Sequence, residues 1–522
     1  MYRFRKYGAV ATTVAIMAAT SSVVLADDSP GVEDLREQIS QFQKQLKVLK
    51  DSQAKTAETV AQIAPEPGAA KIPKTGGQMG SPVGGFYIPG TKTAMKIGFM
   101  TKLDMAYDMN AGMGKAGFDN YSIRPAELDS GQGGFALPGT PAARRKGILS
   151  FTSGFARINM DTRTPIKYGE LKVALEIDFA GSTGGNAYGG NAHTPRLRQA
   201  YLTLGGWTLG QTWTTFFDGP SGPSSIHNNG PVGKEGGLRI PQVRYTFNFD
   251  SAQKHQMNVA IENPFNDFYK GDIPAHAGGP QDTKFSSTNI PEFVARYAYN
   301  DSWGRFFLAG IARKISINTS GLDFNVVNHK GPASDRVFGG GLNTGFKIYL
   351  TDKKNDAIML RFVGGKGIGR YMNVSGINSN PSAVLDEKGK LKLVDTNAYL
   401  FSYQRFWTDD HVWQSNIILG KQNTKFKNGL IGSGVGIPKT WEEIEFNLFW
   451  APNSYISMGP AFVHATGKVI SPYTNMKNGK ASGKKDSDGK DILTGMIPGA
   501  TRDTSSRKVK NNRIQFSITA GF

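Results

Sequence analysis

From about residue 91 to its end this chain repeats one pattern: runs in which apolar and polar residues alternate, separated by gaps that are alternately short and long. MKIGFMTKLDMAYD sets Met95, Ile97, Phe99, Leu103, Met105 and Tyr107 against Lys96, Lys102, Asp104 and Asp108. ELKVALEIDFAG sets Leu171, Val173, Leu175, Ile177 and Phe179 against Lys172, Glu176 and Asp178, and the last run sets Ile514, Phe516, Ile518, Ala520 and Phe522 against Gln515, Ser517, Thr519 and Gly521. Period two is the mark of a strand with one apolar face, because successive side chains point to opposite sides. About sixteen such runs occur. The short gaps are TPIKYG, GG before Trp207, DSAQK, NDSWG, TDKKND, TDD and APNS. The long ones centre on residues 112–146, 181–195, 218–241, 263–291, 318–335, 364–396, 421–439 and 467–510. Strict alternation of turn lengths predicts an all-β, 16-stranded antiparallel transmembrane β-barrel with one short-turn rim. A soluble sandwich or propeller would show neither the rim asymmetry nor apolar outer faces throughout. A final strand that stays apolar up to Phe522 suits a closed sheet, which has no edge to protect. Tyr107, Phe179, Trp303, Phe306, Tyr349, Trp407, Trp413 and Trp450, near strand ends, are candidates for interfacial aromatic girdles.

The N-terminus predicts export. Arg3, Arg5 and Lys6 precede the apolar stretch AVATTVAIMAATSSVVLA, and Val24 and Ala26 occupy the small positions before a cut followed by Asp27 and Asp28. This is the layout of a signal peptide over residues 1–26. No run of the remaining sequence is long and apolar enough for a spanning helix. The formal net charge is +19, and the signal segment carries three bases and no acids, which leaves +16 after cleavage. A basic exported chain points to acidic small molecules or anionic lipid headgroups as partners, not nucleic acid. The absence of cysteine removes disulfides, thiolate metal sites and a Cys nucleophile.

Residues 27–64 carry an α-helical heptad seam: Val32, Leu35, Ile39, Phe42, Leu46, Leu49, Val60 and Ile63, with Gln53 and Thr56 at the weaker core positions. Such a seam needs partner helices to bury it, so a self-associating coiled coil is expected. Residues 65–90, rich in Pro, Gly and small residues, read as a linker to a barrel over 91–522.

The strings FYIPGTKTAMKIGFMTKLDMAYD, FARINMDTRTPIKYGELKVALEIDFAG, PRLRQAYLTLGGWTLGQTWTTFFD and GGLRIPQVRYTF resemble the DcaP-like outer-membrane porins over essentially the whole mature chain. The resemblance implies a homotrimer in the cell outer membrane of a Gram-negative bacterium, in contact with its lipid and lipopolysaccharide, with the coiled coil in the periplasm. It implies passive uptake of small anionic solutes such as dicarboxylates. Phe522 resembles the signal read by the barrel-insertion machinery. In the resembling porins the third loop folds inward, which makes residues 217–241 the expected constriction, with Asp218, Ser224, Ser225, His227, Lys234, Glu235 and Arg239 as its polar side chains.

Selectivity in a pore follows the charges on its wall. In FARINMDTRT, Ala156, Ile158 and Met160 point outward, so Arg157, Asn159, Asp161 and Arg163 point in. The same rule turns Lys172, Arg244, Arg296, Lys347, Arg361 and Arg513 inward. RLRQAYLTLG leaves its register ambiguous; charge is costly on a lipid face, which favours Arg196 and Arg198 inward. Arg405 is inward only if Tyr403 and Trp407 are too. Pairing with the inward acids Asp104, Asp178, Glu262, Glu443 and Glu445 is expected to occupy about half of these bases. The seven histidines are scattered and none sits in an HExxH or Cys-His arrangement, GGKGIG precedes no helix, and DSDGKD lacks the closing Glu of a calcium loop. No enzymatic activity, cofactor or metal site is expected. Two readings besides an anion-preferring channel remain open: a nonspecific diffusion porin, and an envelope tether in which the coiled coil contacts the cell wall and the barrel is only an anchor.

Overall fold

The period-two runs pair in sequence order into a closed antiparallel wall. In the computed structural model the strands are β1 Ala94–Asp108, β2 Arg157–Ile166, β3 Gly169–Asp178, β4 Arg196–Leu204, β5 Trp207–Trp213 and β6 Arg239–Asn248. They continue as β7 His255–Glu262, β8 Glu292–Asp301, β9 Gly304–Asn318, β10 Ser334–Tyr349 and β11 Asp356–Lys366. β12 Asp395–Phe406, β13 Trp413–Lys425, β14 Ile437–Asn453, β15 Ile456–Ile470 and β16 Ser506–Gly521 complete the set. The structure describes residues 85–110, 146–181, 194–227, 230–269, 289–318, 334–373, 380–385, 390–425, 437–470 and 506–522, together with Lys44 and Lys47.

Closure is direct. β16 runs antiparallel to β1 from Asp108↔Arg513 to Met100↔Gly521, and the Phe522 N–H donates to the Phe99 carbonyl at 3.0 Å. Every strand of the wall therefore has two neighbours, which is the condition for backbone to lie in hydrocarbon. β1 meets β2 along Ala94–Met100 and the short strand Ile148–Thr152 along Asp104–Asp108, so that these two segments share one position in the wall. Phe86 and Tyr87, within the stretch read as linker, add two residues of antiparallel pairing to β1 at Met95 and Ala94.

Alternation sorts the side chains as the sequence predicts. Ile97, Ile158, Val173, Leu308, Phe446 and Ile514 are among the large apolar side chains exposed on the outside, an apolar belt far larger than a soluble surface carries. Trp207, Phe249, Trp303, Trp407, Tyr455 and Phe522 are exposed at the short-turn rim, as an interfacial girdle requires. Tyr349 instead shares the inward face of Lys347, whose ammonium lies 5.6 Å from its ring centre. In the N-terminal unit, Met1–Lys74, the described Lys44 and Lys47 are helical and exposed. The signal peptide and the heptad positions Val32, Leu35, Ile39, Phe42, Leu46, Leu49, Val60 and Ile63 lie outside the described residues. No described helix is long and apolar enough to cross a membrane.

Candidate constriction site

An interior this wide needs something other than wall side chains to narrow it. The segment between β5 and β6, described over residues 214–227 and 230–238, runs inside the barrel and is held there by polar bonds to the wall. Its first anchor is Asp218, which accepts from Arg305 of β9 at 3.0 and 2.5 Å and from Ser221 Oγ at 2.7 Å. Arg296 of β8 donates to the Phe217 carbonyl and lies 3.9 Å from Asp218. Asn343 of β10 donates to the Phe216 carbonyl at 2.7 Å. Arg361 of β11 donates to Glu235 at 2.5 Å, to the Asp218 carbonyl at 2.7 Å and to Ser221. On β14, Glu445 accepts from Ser225 Oγ at 2.6 Å and from the Ile226 N–H at 3.0 Å, and Asn447 donates to the Ser224 carbonyl at 3.1 Å.

Charge and shape both fix this path. Burial alone would raise the Asp218 carboxyl, but the Arg305 hydrogen bonds and the charges of Arg305, Arg296 and Arg361 hold it well below the usual aspartate range. Lys234 donates to the Glu235 carbonyl at 2.9 Å and lies 5.0 Å from the Phe217 ring centre. Gly420 of β13 gives the loop room, since a Cβ there would stand 2.0 Å from the Val232 carbonyl oxygen. Six of the seven polar residues assigned to the loop by sequence lie on it. Arg239 does not: it opens β6, where its guanidinium lies 5.0 Å from the Trp213 ring centre.

A second inward segment has no counterpart in the sequence reading, which took the stretch between β11 and β12 as an ordinary long loop. Gly369–Tyr371 forms a short 3-10 turn, and Ala383–Leu385 and Leu391–Leu393 form a small sheet with Phe268–Tyr269. Buried Arg313 of β9 organises it, bonding Glu292 at 2.9 Å, Ser382 at 2.9 Å and the Gly367 carbonyl at 3.0 Å, with Asp267 at 2.8 Å. The two segments are latched together: the Gly236 N–H donates to the Tyr371 carbonyl at 2.8 Å, and Asn373 Nδ2 donates to the Gly230 and Pro231 carbonyls at 2.7 Å each. Phe216, Ile368, Tyr371 and Met372 pack with Ile240, Val294, Ile311 and Val363 into a buried apolar core inside the barrel. Arg305 and Arg313 were legible by the alternation rule, which turns both inward from exposed Leu308.

All ten bases assigned to the pore wall stand on the face opposite the outer apolar row. The ambiguous register of β4 is settled by a bulge: Leu197 pairs with Ile177 and Gln199 with Glu176, leaving Arg198 unpaired in the ladder. Arg196 and Arg198 thereby both turn in, Arg196 to Asp178 at 2.7 Å and Arg198 to Asp178 at 2.8 Å and Glu176. Arg405 faces outward, on the row of exposed Tyr399 and Trp407, and pairs with Asp356 at 3.0 Å.

Bracing takes more of these bases than half, and mostly with other acids than the sequence suggested. Arg163 pairs with Glu170 at 3.4 Å, Lys172 with Asp161 at 3.7 Å, Arg361 with Glu235, and Arg513 with Asp108 at 2.8 Å. Glu262 and Glu445 serve the loop instead, Glu262 by accepting from Thr214 Oγ1 at 2.7 Å and the Thr215 N–H at 2.6 Å. Arg157, Arg244 and Lys347 make no ion pair among the described residues, and the Nε atoms of Arg157 and Arg244 are buried without a hydrogen-bond partner. Arg157 and Arg239 both sit in the field of Arg196 and Arg198, so positive charge is concentrated on this side of the wall.

A closed barrel with an apolar belt, a short-turn rim and an inward third loop is a transmembrane porin. The outer membrane channel DcaP of Acinetobacter baumannii has the same sixteen-stranded fold, with a TM-score of 0.59 over 84% of this chain and 100% of that one at 17% identity. The family model of the DcaP outer membrane protein matches residues 143–480, and this chain belongs to that family. It is an outer membrane channel and not an enzyme. OmpT of Vibrio cholerae (TM-score 0.45, 9% identity, 83% of this chain and 99% of that one) and an anion-selective porin from Comamonas acidovorans (0.42, 10%, 82% and 100%) are more distant. The sequence matches none of the curated proteins.

Proposed function

We propose that this porin is a passive diffusion channel with a preference for small anionic solutes such as dicarboxylates. The observation that carries this is the set Arg157, Arg244 and Lys347: inward bases without a described acid partner, in a passage narrowed by two inward segments. A wall charge acts on a passing ion most where the passage is narrow and poorly screened, and is lost within about 8 Å in a wide mouth. An anchor for an envelope tether needs no such charges. The preferred reading includes a homotrimer, insertion through the signal at Phe522, and a periplasmic coiled coil over residues 27–64 that supports trimerisation and reaches toward the cell wall; the heptad seam supports the last of these.

The test is the reversal potential of the purified channel in a planar bilayer under a KCl gradient, with small dicarboxylates added as blockers or permeants. Anion preference with dicarboxylate block is expected. Cation selectivity would return the inward arginines to bracing alone, and equal permeability would favour the nonspecific porin.

A further inference from the structure

The tip of the third loop meets the wall at three metal-ligating side chains. Glu443 and Glu445 stand two residues apart on β14 and both point inward, because Ile444 between them is exposed on the outer face. His227 descends on them from the loop. Its Nε2 is 3.8 Å from Glu443 Oε1 and 3.8 Å from Glu445 Oε2, and one ligand atom from each residue lies within 4.8 Å of the others. All three side chains are at most 2% exposed.

These separations are too long for hydrogen bonds between the three groups. They are close to what a shared cation requires, since ligands at about 2.0–2.2 Å in tetrahedral geometry stand about 3.4 Å apart. Independently, buried Glu445 has only neutral donors: Ser225 Oγ, the Ile226 N–H and Asn447 Nδ2 at 2.6 Å. No Lys or Arg pairs with it among the described residues. A buried carboxylate that stays ionised needs a cation close to it. The surrounding shell is also preset, as in protein metal sites: Asn416 Nδ2 donates to Asn447 Oδ1 at 2.8 Å, which aims the Asn447 amide at Glu445.

We infer that His227, Glu443 and Glu445 form a binding site for a divalent first-row transition cation such as Zn²⁺, which staples the third loop to β14. One imidazole and two carboxylates match zinc or manganese better than calcium, which prefers six to eight oxygens. The site does not depend on the anion reading: it fixes the loop, whatever solute passes. It escapes sequence reading because His227 and the glutamates are more than two hundred positions apart and no short motif joins them.

The test uses untagged, full-length protein in detergent, stripped with a chelator and dialysed against micromolar Zn²⁺, with bound metal measured by atomic absorption. One Zn²⁺ per chain is expected, undisplaced by millimolar Ca²⁺, and at least tenfold weaker in His227→Ala, Glu443→Gln and Glu445→Gln. In bilayers Zn²⁺ should quieten current fluctuations of the wild type and leave those variants unchanged. Native electrophoretic mobility of the unheated protein establishes folding, and Glu443→Gln, which leaves the bonds of Glu445 to the loop intact, carries the test if Glu445→Gln does not fold. Substoichiometric binding by the wild type, or undiminished binding by the folded variants, overturns the site.

Discussion

Reversing Arg157 and Arg244 together probes the wall charge most directly, because neither has an acid partner among the described residues whose loss would confuse the result. Each Arg→Glu change alters the wall by two charges. At about 6 Å from a passing ion, one unit charge is worth ~0.7 kcal/mol at the dielectric of water and ~3 kcal/mol at an effective value of 20. Even the lower figure gives about 1.4 kcal/mol per substitution, a factor of ~10, and the two act together. Salt screening reduces this, so a tenfold fall in the anion-to-cation permeability ratio is the minimum expected of Arg157→Glu/Arg244→Glu. The assay is the reversal potential under a KCl gradient, repeated at lower ionic strength, where the difference should widen. Arg157→Gln/Arg244→Gln should give about half the free-energy change. Arg163→Gln, at the short-turn end of β2 and already paired with Glu170, should shift the ratio less than twofold. If the folded double reversal stays within twofold of the wild type, the passage does not run past these side chains and the reasoning fails.

Arg361→Met strands buried Glu235 and should destabilise the loop by about 3–5 kcal/mol, raising open-channel conductance and protease sensitivity; adding Glu235→Gln should recover much of the loss. Gly420→Leu pushes a side chain into the Val232 carbonyl and should displace the loop at about 1–3 kcal/mol, read as larger and noisier single-channel currents. The Asp218 carboxyl is held below its unfolded value of about 3.9, so its contribution is fully present above that value and vanishes only as the pH falls through the lower folded-state value; loop noise that rises with a midpoint at pH 5 or higher would contradict this. Phe522→Ala should lower the amount of channel inserted and leave the conductance of inserted channels unchanged, since the Phe522 ring is exposed at the outer rim and 6.3 Å from that of Phe99; normal insertion would argue against the assignment.

The wall of this protein was legible residue by residue, because strand alternation is local: once Ile158 is outward, Arg157 must be inward, and seven short and eight long gaps leave one even-numbered barrel. The same rule turned eight of the ten bases inward and contains Arg305 and Arg313, although neither was singled out; Arg196 and Arg198 rested instead on the cost of charge facing lipid. Alternation failed where the ladder slips. At Arg198 one bulged residue turns two neighbours to the same side, and nothing in RLRQAY announces where the extra residue sits. Which bases remain without an acid partner was not legible either, since an ion pair depends on distances across strands: Arg513 takes Asp108 from the far end of the chain, and Arg361 takes Glu235 from a loop. Beyond the inward third loop, which the family resemblance implied, the contents of the barrel were decided by tertiary structure. Loop segments carry no periodicity, so the second inward segment, its latch through Asn373 and Tyr371, and the meeting of His227 with Glu443 and Glu445 come from where the closed wall brings the loops together.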